Sequence, residues 1–235
     1  MPRKSADNLL ERAFSALAGA LGRTGVPFMV IGGVAVIAYG VKRLTTDVDA
    51  VVQGGAVDVP ALLRALARAG IASRIEHVER FARENLVLLM RHVETGVELD
   101  VSLGFTRFEL EALASRKLVR FGRARAPMAR PEDLVIFKAL AGRPKDIDDA
   151  TALLILHRDI DVARVRDRVA ELAMLAEAPE LIDGLEAVIA RVGSLHRGRR
   201  VPKGSKPSKP RKKAAVAMPR KTKRRSVARN RGARR

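Results

Sequence analysis

The apolar positions of the first 130 residues alternate between helical spacing and short buried runs. Leu9, Leu10, Phe14, Leu17 and Leu21 recur every three or four residues, which predicts a helix that ends near Gly22 or Gly25. Polar and apolar residues alternate over 47–50 and an apolar run follows to Val52, which predicts a strand over 47–53. Further strands are expected at 27–33, 85–92 and 96–104 and an extended segment at 118–129, with helices at 34–40, 57–70 and 107–117.

The pattern changes at Pro131, after which only helical periodicity remains. Two helices separated by a break at 141–144 are expected within 131–157, followed by helices at 161–175 and 179–193. We therefore predict an α/β (α+β) fold with a small mixed β-sheet core backed by helices and followed by a helical region. The expected divisions are a core at 1–125, a helical region at 126–196 that completes the site, and a tail at 197–235.

Charge separates the tail from the rest of the chain. Residues 197–235 hold 18 of the 45 Lys and Arg residues and no acid, whereas the preceding part has 27 basic and 26 acidic residues. Such a Pro-, Ser- and Lys/Arg-rich segment is typical of disorder and of an arm for RNA or another polyanion. A solubilising tail without a specific partner is the alternative, and the lack of aromatic residues there argues against base stacking.

Composition excludes several kinds of site. The chain has no Cys, which removes disulfides, thiolate nucleophiles and Cys-type zinc sites and is consistent with a reducing compartment. Its four His residues show no paired metal-binding spacing. The first ten residues lack an apolar leader, and no apolar run is long enough to span a membrane. We expect a cytoplasmic protein that has no membrane partner.

Carboxylates on two predicted strands suggest a metal site. Asp47 and Asp49 are two residues apart on a strand and therefore project from the same face. Two such carboxylates repel each other unless a cation lies between them, and Mg²⁺ prefers these oxygen ligands. Asp100 lies in another apolar strand and is the expected third ligand, with Glu98 as its alternate.

Groups suited to phosphate surround this predicted site. The Gly32-Gly33 turn joins a strand to a helix, where backbone N–H groups are able to meet phosphate. Arg43 offers a fork of donors to the same phosphates. Thr45 is expected to cap or position the loop.

The run VIGGVAVIAYGVKRLTTDVDAVV, followed by ELD and by FKALAGRPKD, resembles the signature of the DNA polymerase β-like nucleotidyltransferase superfamily. It is most similar to the minimal nucleotidyltransferases and the AbiEii-type toxins of type IV toxin–antitoxin systems. The resemblance spans roughly residues 10–160. It implies a mixed sheet of five strands or fewer, with the metal carboxylates on adjacent strands.

The resemblance also implies an activity and further site residues. The reaction is transfer of a nucleoside monophosphate from an NTP such as ATP to a hydroxyl acceptor, with release of pyrophosphate. Lys138 is implied near the nucleotide phosphates, and Lys145, Asp146 and Asp149 follow in the same motif. Arg143 stays open between a phosphate contact and a surface position. Many members have Gly-Ser where this chain has Gly32-Gly33, so the backbone has to replace the serine.

We therefore expect a Mg²⁺-dependent nucleotidyltransferase in which Asp47, Asp49 and Asp100 hold two ions, with Mn²⁺ as a substitute. Its partners would be an NTP, an acceptor such as tRNA, other RNA or a protein side chain, and an antitoxin protein. An inactive nucleotide- or RNA-binding protein and a DNA-associated protein that acts through its tail are the alternatives. Two interpretations without a role in the site also stay open. Lys138 would be a solvated helical lysine, and the acids at 146–149 would only cap the helix that they begin.

Overall fold

A computed structural model describes the backbone of residues 3–198 and the side chains of residues 9–194. Residues 199–235, which hold nearly all of the predicted tail, lie outside the described residues, so its predicted disorder is not tested. The divisions expected at 125 and 196 likewise stay predictions. Within the described range, no helix combines the length and the apolarity needed to cross a membrane.

Helices alternate with strands up to residue 128, and only helices follow. The helices are α1 (Arg3–Thr24), α2 (Gly32–Ala38), α3 (Val59–Ala67), α4 (Val78–Asn85), α5 (Arg107–Ser115), α6 (Pro131–Ala141), α7 (Pro144–Leu156), α8 (Val162–Leu175) and α9 (Glu180–Gly198). The strands are β1 (Phe28–Ile31), β2 (Asp47–Gln53), β3 (Ile71–Ser73), β4 (Val87–His92), β5 (Glu98–Gly104), β6 (Lys117–Phe121) and β7 (Ala124–Met128). The predicted α/β class with a mixed sheet backed by helices is confirmed.

The seven strands form one open sheet in the order β3-β4-β5-β2-β1-β7-β6. The pairs β2–β5 and β1–β7 are parallel, and the other pairs are antiparallel. The expectation of five strands or fewer is wrong, because β3 extends one edge and the β6–β7 hairpin extends the other. The central position of β2 and β5 means that side chains on both strands have neighbours on either side.

The strand β3 and the helix α4 were not predicted, because the local pattern carries little signal. β3 has three residues, and α4 buries only Ala82, so neither produces a visible period. The strand at β2 was predicted with its observed bounds because an alternating stretch at 47–50 continues into an apolar run. Elements that bury little surface therefore could not be predicted from the pattern of apolar and polar residues.

The core is aliphatic and covers both faces of the central strands. Val48 and Ala50 are fully buried on one face of β2, and Val51 is buried on the other. The helices α1, α2 and α5 pack against β2. At the beginning of the strand, Asp47 and Asp49 are only partly buried. Their carboxylates are therefore in contact with solvent, whereas the apolar residues of the strand are not.

The helices α6–α9 pack on one another, and α6 also packs against α2. Asp133 in α6 is completely buried and accepts hydrogen bonds from Arg164 of α8 at 3.1 Å and from Arg130 at 3.2 Å. A buried carboxylate with two guanidinium partners costs much less than an unpaired one. The Arg164 contact joins α6, which carries Lys138, to α8.

Candidate functional site

Four acidic residues lie on one face of the neighbouring strands β2 and β5. The parallel register places Asp49 beside Asp100 and Asp47 beside Glu98. Residues that are paired across a sheet project to the same side, so the four side chains share one surface. The implied placement of the carboxylates on adjacent strands is confirmed, and Asp100 lies on the same side as the earlier pair.

Concentrated negative charge alters the acidity of this face. Burial, followed by the nearby carboxylates of Asp47 and Asp100, raises the pKa of Asp49 to about 6, although Lys138 and Lys145 oppose the shift. Burial also raises the pKa of Asp100, an effect that Arg74 opposes. The site therefore favours protons or other cations beside these oxygens.

Arg74 is the site residue that sequence analysis missed. It follows β3, and its Nη1 donates to Glu98 Oε2 at 2.7 Å while its Nη2 donates to Asp100 Oδ1. Arg91 donates to Glu98 as well, at 3.3 Å. No motif surrounds Arg74 in the sequence, because only the pairing of β3 with β4 and of β4 with β5 brings it near these acids.

A divalent cation fits the pair Asp47 and Asp49, whereas the third predicted ligand, Asp100, is already engaged by another side chain. Asp47 and Asp49 offer two oxygen-bearing groups on one face, and a cation between them would offset both the burial and the neighbouring carboxylates that raise the pKa of Asp49. Among the described residues, however, no group of three or more Asp, Glu, His or Cys side chains is arranged to hold a metal. Asp100 is in register but is bound to Arg74, so the three-carboxylate site stays a prediction.

The two glycines are required by close contacts. Gly32 has a φ of +67°, and a Cβ atom there would collide with the Asp49 carboxylate. A Cβ atom on Gly33 would collide with the side chain of Thr45, whose hydroxyl donates to Asp47 Oδ1 at 2.7 Å. The departure from Gly-Ser thus has a steric reason, because Thr45 fills the space that a side chain at position 33 would need.

The beginning of α2 leaves backbone donors without a side-chain cap. Ile31 precedes the helix, and no described side chain caps it. The helix has seven residues, so phosphate binding at Gly32 and Gly33 would depend on individual N–H groups. Their predicted contacts with phosphate stay predictions.

A second cluster of charges joins α6, α7 and the loop before β2. Lys138 Nζ donates to Asp146 Oδ1 at 2.7 Å and lies 2.9 Å from Asp149 Oδ2, and Arg43 donates to the same Asp149 oxygen. Lys138 is 6% exposed, so its interpretation as a solvated helical lysine is wrong. Asp149 therefore holds together two of the cations that sequence analysis assigned to phosphate.

Asp146 pairs with side chains and does not cap α7. Burial raises its pKa, but hydrogen bonds from Lys138 and Arg143 outweigh that effect and lower the pKa below the ordinary value. Arg143 is largely exposed, and Lys145 is exposed while still close enough to lower the pKa of Asp49. The predicted cationic residues are thus brought to one region, and their contacts with phosphate stay predictions.

A family model described as nucleotidyl transferase of unknown function (DUF2204) matches residues 10–180. Every candidate site residue, from Gly32 to Asp149, lies inside the matched range. No curated protein matches the sequence.

Three solved structures are similar to the chain at low identity. A solution structure of the antibiotic-resistance factor ANT(2'')-Ia is 14% identical, with 83% of this chain and 97% of that chain covered and a TM-score of 0.46. A crystal structure of ANT(2")-Ia in complex with adenylyl-2"-tobramycin is 14% identical, with 82% of this chain and 99% of that chain covered and a TM-score of 0.45. An antigenic nucleotidyltransferase-like protein from Paracoccidioides brasiliensis is 17% identical, with 74% of this chain and 90% of that chain covered and a TM-score of 0.45.

The contact between Gly32 and Asp49 predicts a large loss of stability on substitution. Gly32→Ala should lower the free energy of unfolding by roughly 2 kcal/mol more than Gly70→Ala, because only the former adds a collision. Gly70 is the matched control, since its φ of +71° is similar and its surroundings are open. Urea denaturation of both variants measures the difference, and equal losses would contradict the proposed contact.

The raised pKa of Asp49 predicts that its neutral isostere stabilises the metal-free protein. In a chelating buffer, Asp49→Asn should raise the free energy of unfolding by up to about 3 kcal/mol above pH 6, since one pKa unit corresponds to about 1.4 kcal/mol. The pKa in the folded state, about 6, exceeds the ordinary 3.8. Wild-type stability therefore falls as pH rises between these values, and the advantage of the variant should disappear near pH 4.

Thermal unfolding at several pH values, with the exposed Asp159→Asn as control, measures this effect. An advantage of Asp49→Asn that does not change with pH would show that ionisation of the buried Asp49 carboxyl is not its cause.

Proposed function

The chain belongs to the DUF2204 family of nucleotidyl transferases, and on that premise we propose that it transfers a nucleoside monophosphate from an NTP to a hydroxyl acceptor in a Mg²⁺-dependent reaction. The observation that carries the proposal is the parallel register that places Asp49 beside Asp100, with Asp47 on the same face. Like charges are seldom collected in this way unless a bound cation or the chemistry of the site needs them.

Asp47 and Asp49 would hold Mg²⁺, or Mn²⁺ in its place, and Asp100 would join them for a second ion. The bound cations supply positive charge to the triphosphate during phosphoryl transfer. Thr45 donates to Asp47 and so orients one carboxylate of the pair. Gly32 leaves the space into which the Asp49 carboxylate fits.

In the proposed reaction, the Asp100 carboxylate accepts the proton of the acceptor hydroxyl, a role supported by its raised pKa. The acceptor oxygen forms a bond to the α-phosphorus, the bond from that phosphorus to the bridging oxygen breaks, and pyrophosphate leaves. The balance needs only the NTP and the hydroxyl acceptor. Asp100 has to be released from Arg74 at least in part to perform this step.

The triphosphate is proposed to lie between the Gly32-Gly33 backbone and the cations of the second cluster. Arg43 and Lys138 are held by Asp149, which keeps both near the carboxylate face at low entropic cost. A cavity of about 750 Å³ adjoins Arg43 and Thr45, but neither the Gly32-Gly33 turn nor Lys138 lines it, so the proposed position of the triphosphate rests on the ion pairs and not on this cavity.

The acceptor is proposed to be tRNA or another RNA, with a protein side chain as the other candidate. The basic segment 197–235 supports RNA, because 18 cationic residues without an acid bind polyanions. Membership of the AbiEii-type toxin branch, with a cognate antitoxin as partner, is supported by the run from Gly32 to Asp49 and by the Lys138-to-Asp149 motif.

An inactive nucleotide- or RNA-binding protein is the second candidate. The ion pair between Arg74 and Asp100 favours it, because a carboxylate bound to a guanidinium is less available to a metal or a proton. The presence of Asp47, Asp49 and Asp100 together favours catalysis, since a binding protein does not need three acids on one face.

The proposed role of the carboxylates predicts the outcome of a labelling assay. Wild-type protein incubated with α-labelled NTPs, Mg²⁺ and total RNA should transfer label to RNA, whereas Asp47→Ala/Asp49→Ala should lose at least about 100-fold in rate. Asp148→Ala is the control, because this acid on α7 is exposed. Equal labelling by wild type and the double variant would contradict the proposal, and NTP binding without any labelling would favour the second candidate.

The basic segment predicts an affinity for RNA that depends on salt. If it contacts six or more phosphates, the affinity should fall by about 1,000-fold or more between roughly 50 and 200 mM salt. Removal of residues 197–235 should abolish that dependence and leave transfer to a small acceptor unchanged. Filter binding measures the affinity, and an unchanged affinity after truncation would assign RNA binding elsewhere.

A further inference from the structure

Arg74 bridges two acids of the candidate site from outside the motifs that define it. One end of its guanidinium donates to Asp100 and the other to Glu98 at 2.7 Å. Its side chain is 19% exposed, so water screens its charge only weakly. The third carboxylate of the face thus already has a strong, charge-assisted partner.

Arg74 reaches Asp100 across the sheet. Leu89 on β4 is paired with Asp100, and the backbone N–H of Arg74 donates to the Leu89 carbonyl at 2.9 Å. Asp49, Asp100, Leu89 and Arg74 therefore form one row over four adjacent segments. The backbone of Arg74 is thus fixed at the end of this row, and its side chain reaches Asp100 from there.

The ion pair is also incompletely satisfied, which makes its rearrangement less costly. Arg74 Nε is buried and has no hydrogen-bond partner among the described residues. Glu98 would retain Nη1 if Nη2 left Asp100, so only one of the two ion pairs has to break. The guanidinium is therefore anchored on Glu98 and movable relative to Asp100.

We propose that Arg74 competes with divalent cations for Asp100 and thereby sets the affinity of the site for metal. A guanidinium and a dication that share one half-buried carboxylate repel each other, so binding of one opposes binding of the other. Arg74 is thus a positioning residue that controls when Asp100 is available to the metal and to the acceptor. The inference rests on the proposed function for the identity of the site, but its test measures binding of metal and not transfer.

The experiment measures Mn²⁺ affinity of the full chain without nucleotide, by calorimetry or by the spin resonance of free Mn²⁺. Arg74→Gln removes the charge and keeps a polar side chain, and it should tighten Mn²⁺ binding about tenfold. Arg74→Lys keeps the charge but loses the planar fork, so it should give a smaller increase. Melting temperatures in a chelating buffer check that each variant folds. If Arg74→Gln does not fold, Arg74→Lys tests the inference in its place.

Arg91→Gln is the matched control. Arg91 pairs with the same Glu98 but not with Asp100, and its side chain is 53% exposed. Its removal subtracts the same formal charge from the acid face, so it should change Mn²⁺ affinity by less than about threefold. A difference between the two variants isolates the contact with Asp100 from general electrostatics.

A double-mutant cycle with Asp100→Asn completes the test. In that background, Arg74→Gln should change the affinity no more than Arg91→Gln does, because the contested carboxylate is gone. Unchanged or weaker Mn²⁺ binding by Arg74→Gln would overturn the inference, as would an undiminished effect with Asp100→Asn. Tighter binding together with an inactive wild type would sustain the inference while the proposed function fails.

Discussion

Repulsion between carboxylates on two adjacent parallel strands is the constraint around which the site is arranged. β2 and β5 lie side by side in the middle of the sheet, and their register puts Asp49 next to Asp100 and Asp47 next to Glu98. Burial, together with repulsion from Asp47 and Asp100, raises the pKa of Asp49 and so makes its ionisation costly. Positive charge has to approach from the surroundings or from a ligand.

The protein supplies positive charge from two directions. Arg74 approaches from the β3 edge and binds Asp100 and Glu98, whereas Lys138 and Lys145 approach from the helical region on the side of Asp49. These two sources differ in character. Lys138 is fixed by Asp146 and Asp149 in a buried network that is costly to break, while Arg74 has an unsatisfied Nε and a second anchor.

Steric contact complements the electrostatics on the side of β1 and α2. Gly32 and Gly33 have no Cβ atom, and the space this leaves is filled by the Asp49 carboxylate and by Thr45. Thr45 in turn donates to Asp47, so the turn, the loop and the strand form one packed unit. A change in any of these parts moves the carboxylates relative to the backbone donors of α2.

Local periodicity in the sequence determined the α/β class, the bounds of β2 and the shared face of Asp47 and Asp49, because alternation along a strand needs no knowledge of its neighbours. The resemblance of the run at 30–52 and of the FKALAGRPKD block to a nucleotidyltransferase signature also indicated Asp100, Lys138 and Asp149 as members of one site. Tertiary structure alone decided that β2 pairs with β5 and that the sheet has seven strands within the described range. It also decided that Lys138 is buried on Asp146 and Asp149 and that Arg74 binds Asp100. The physical reason is that strand order and long-range ion pairs depend on how distant segments pack, and β3 and α4 bury too little surface to leave a pattern in the sequence.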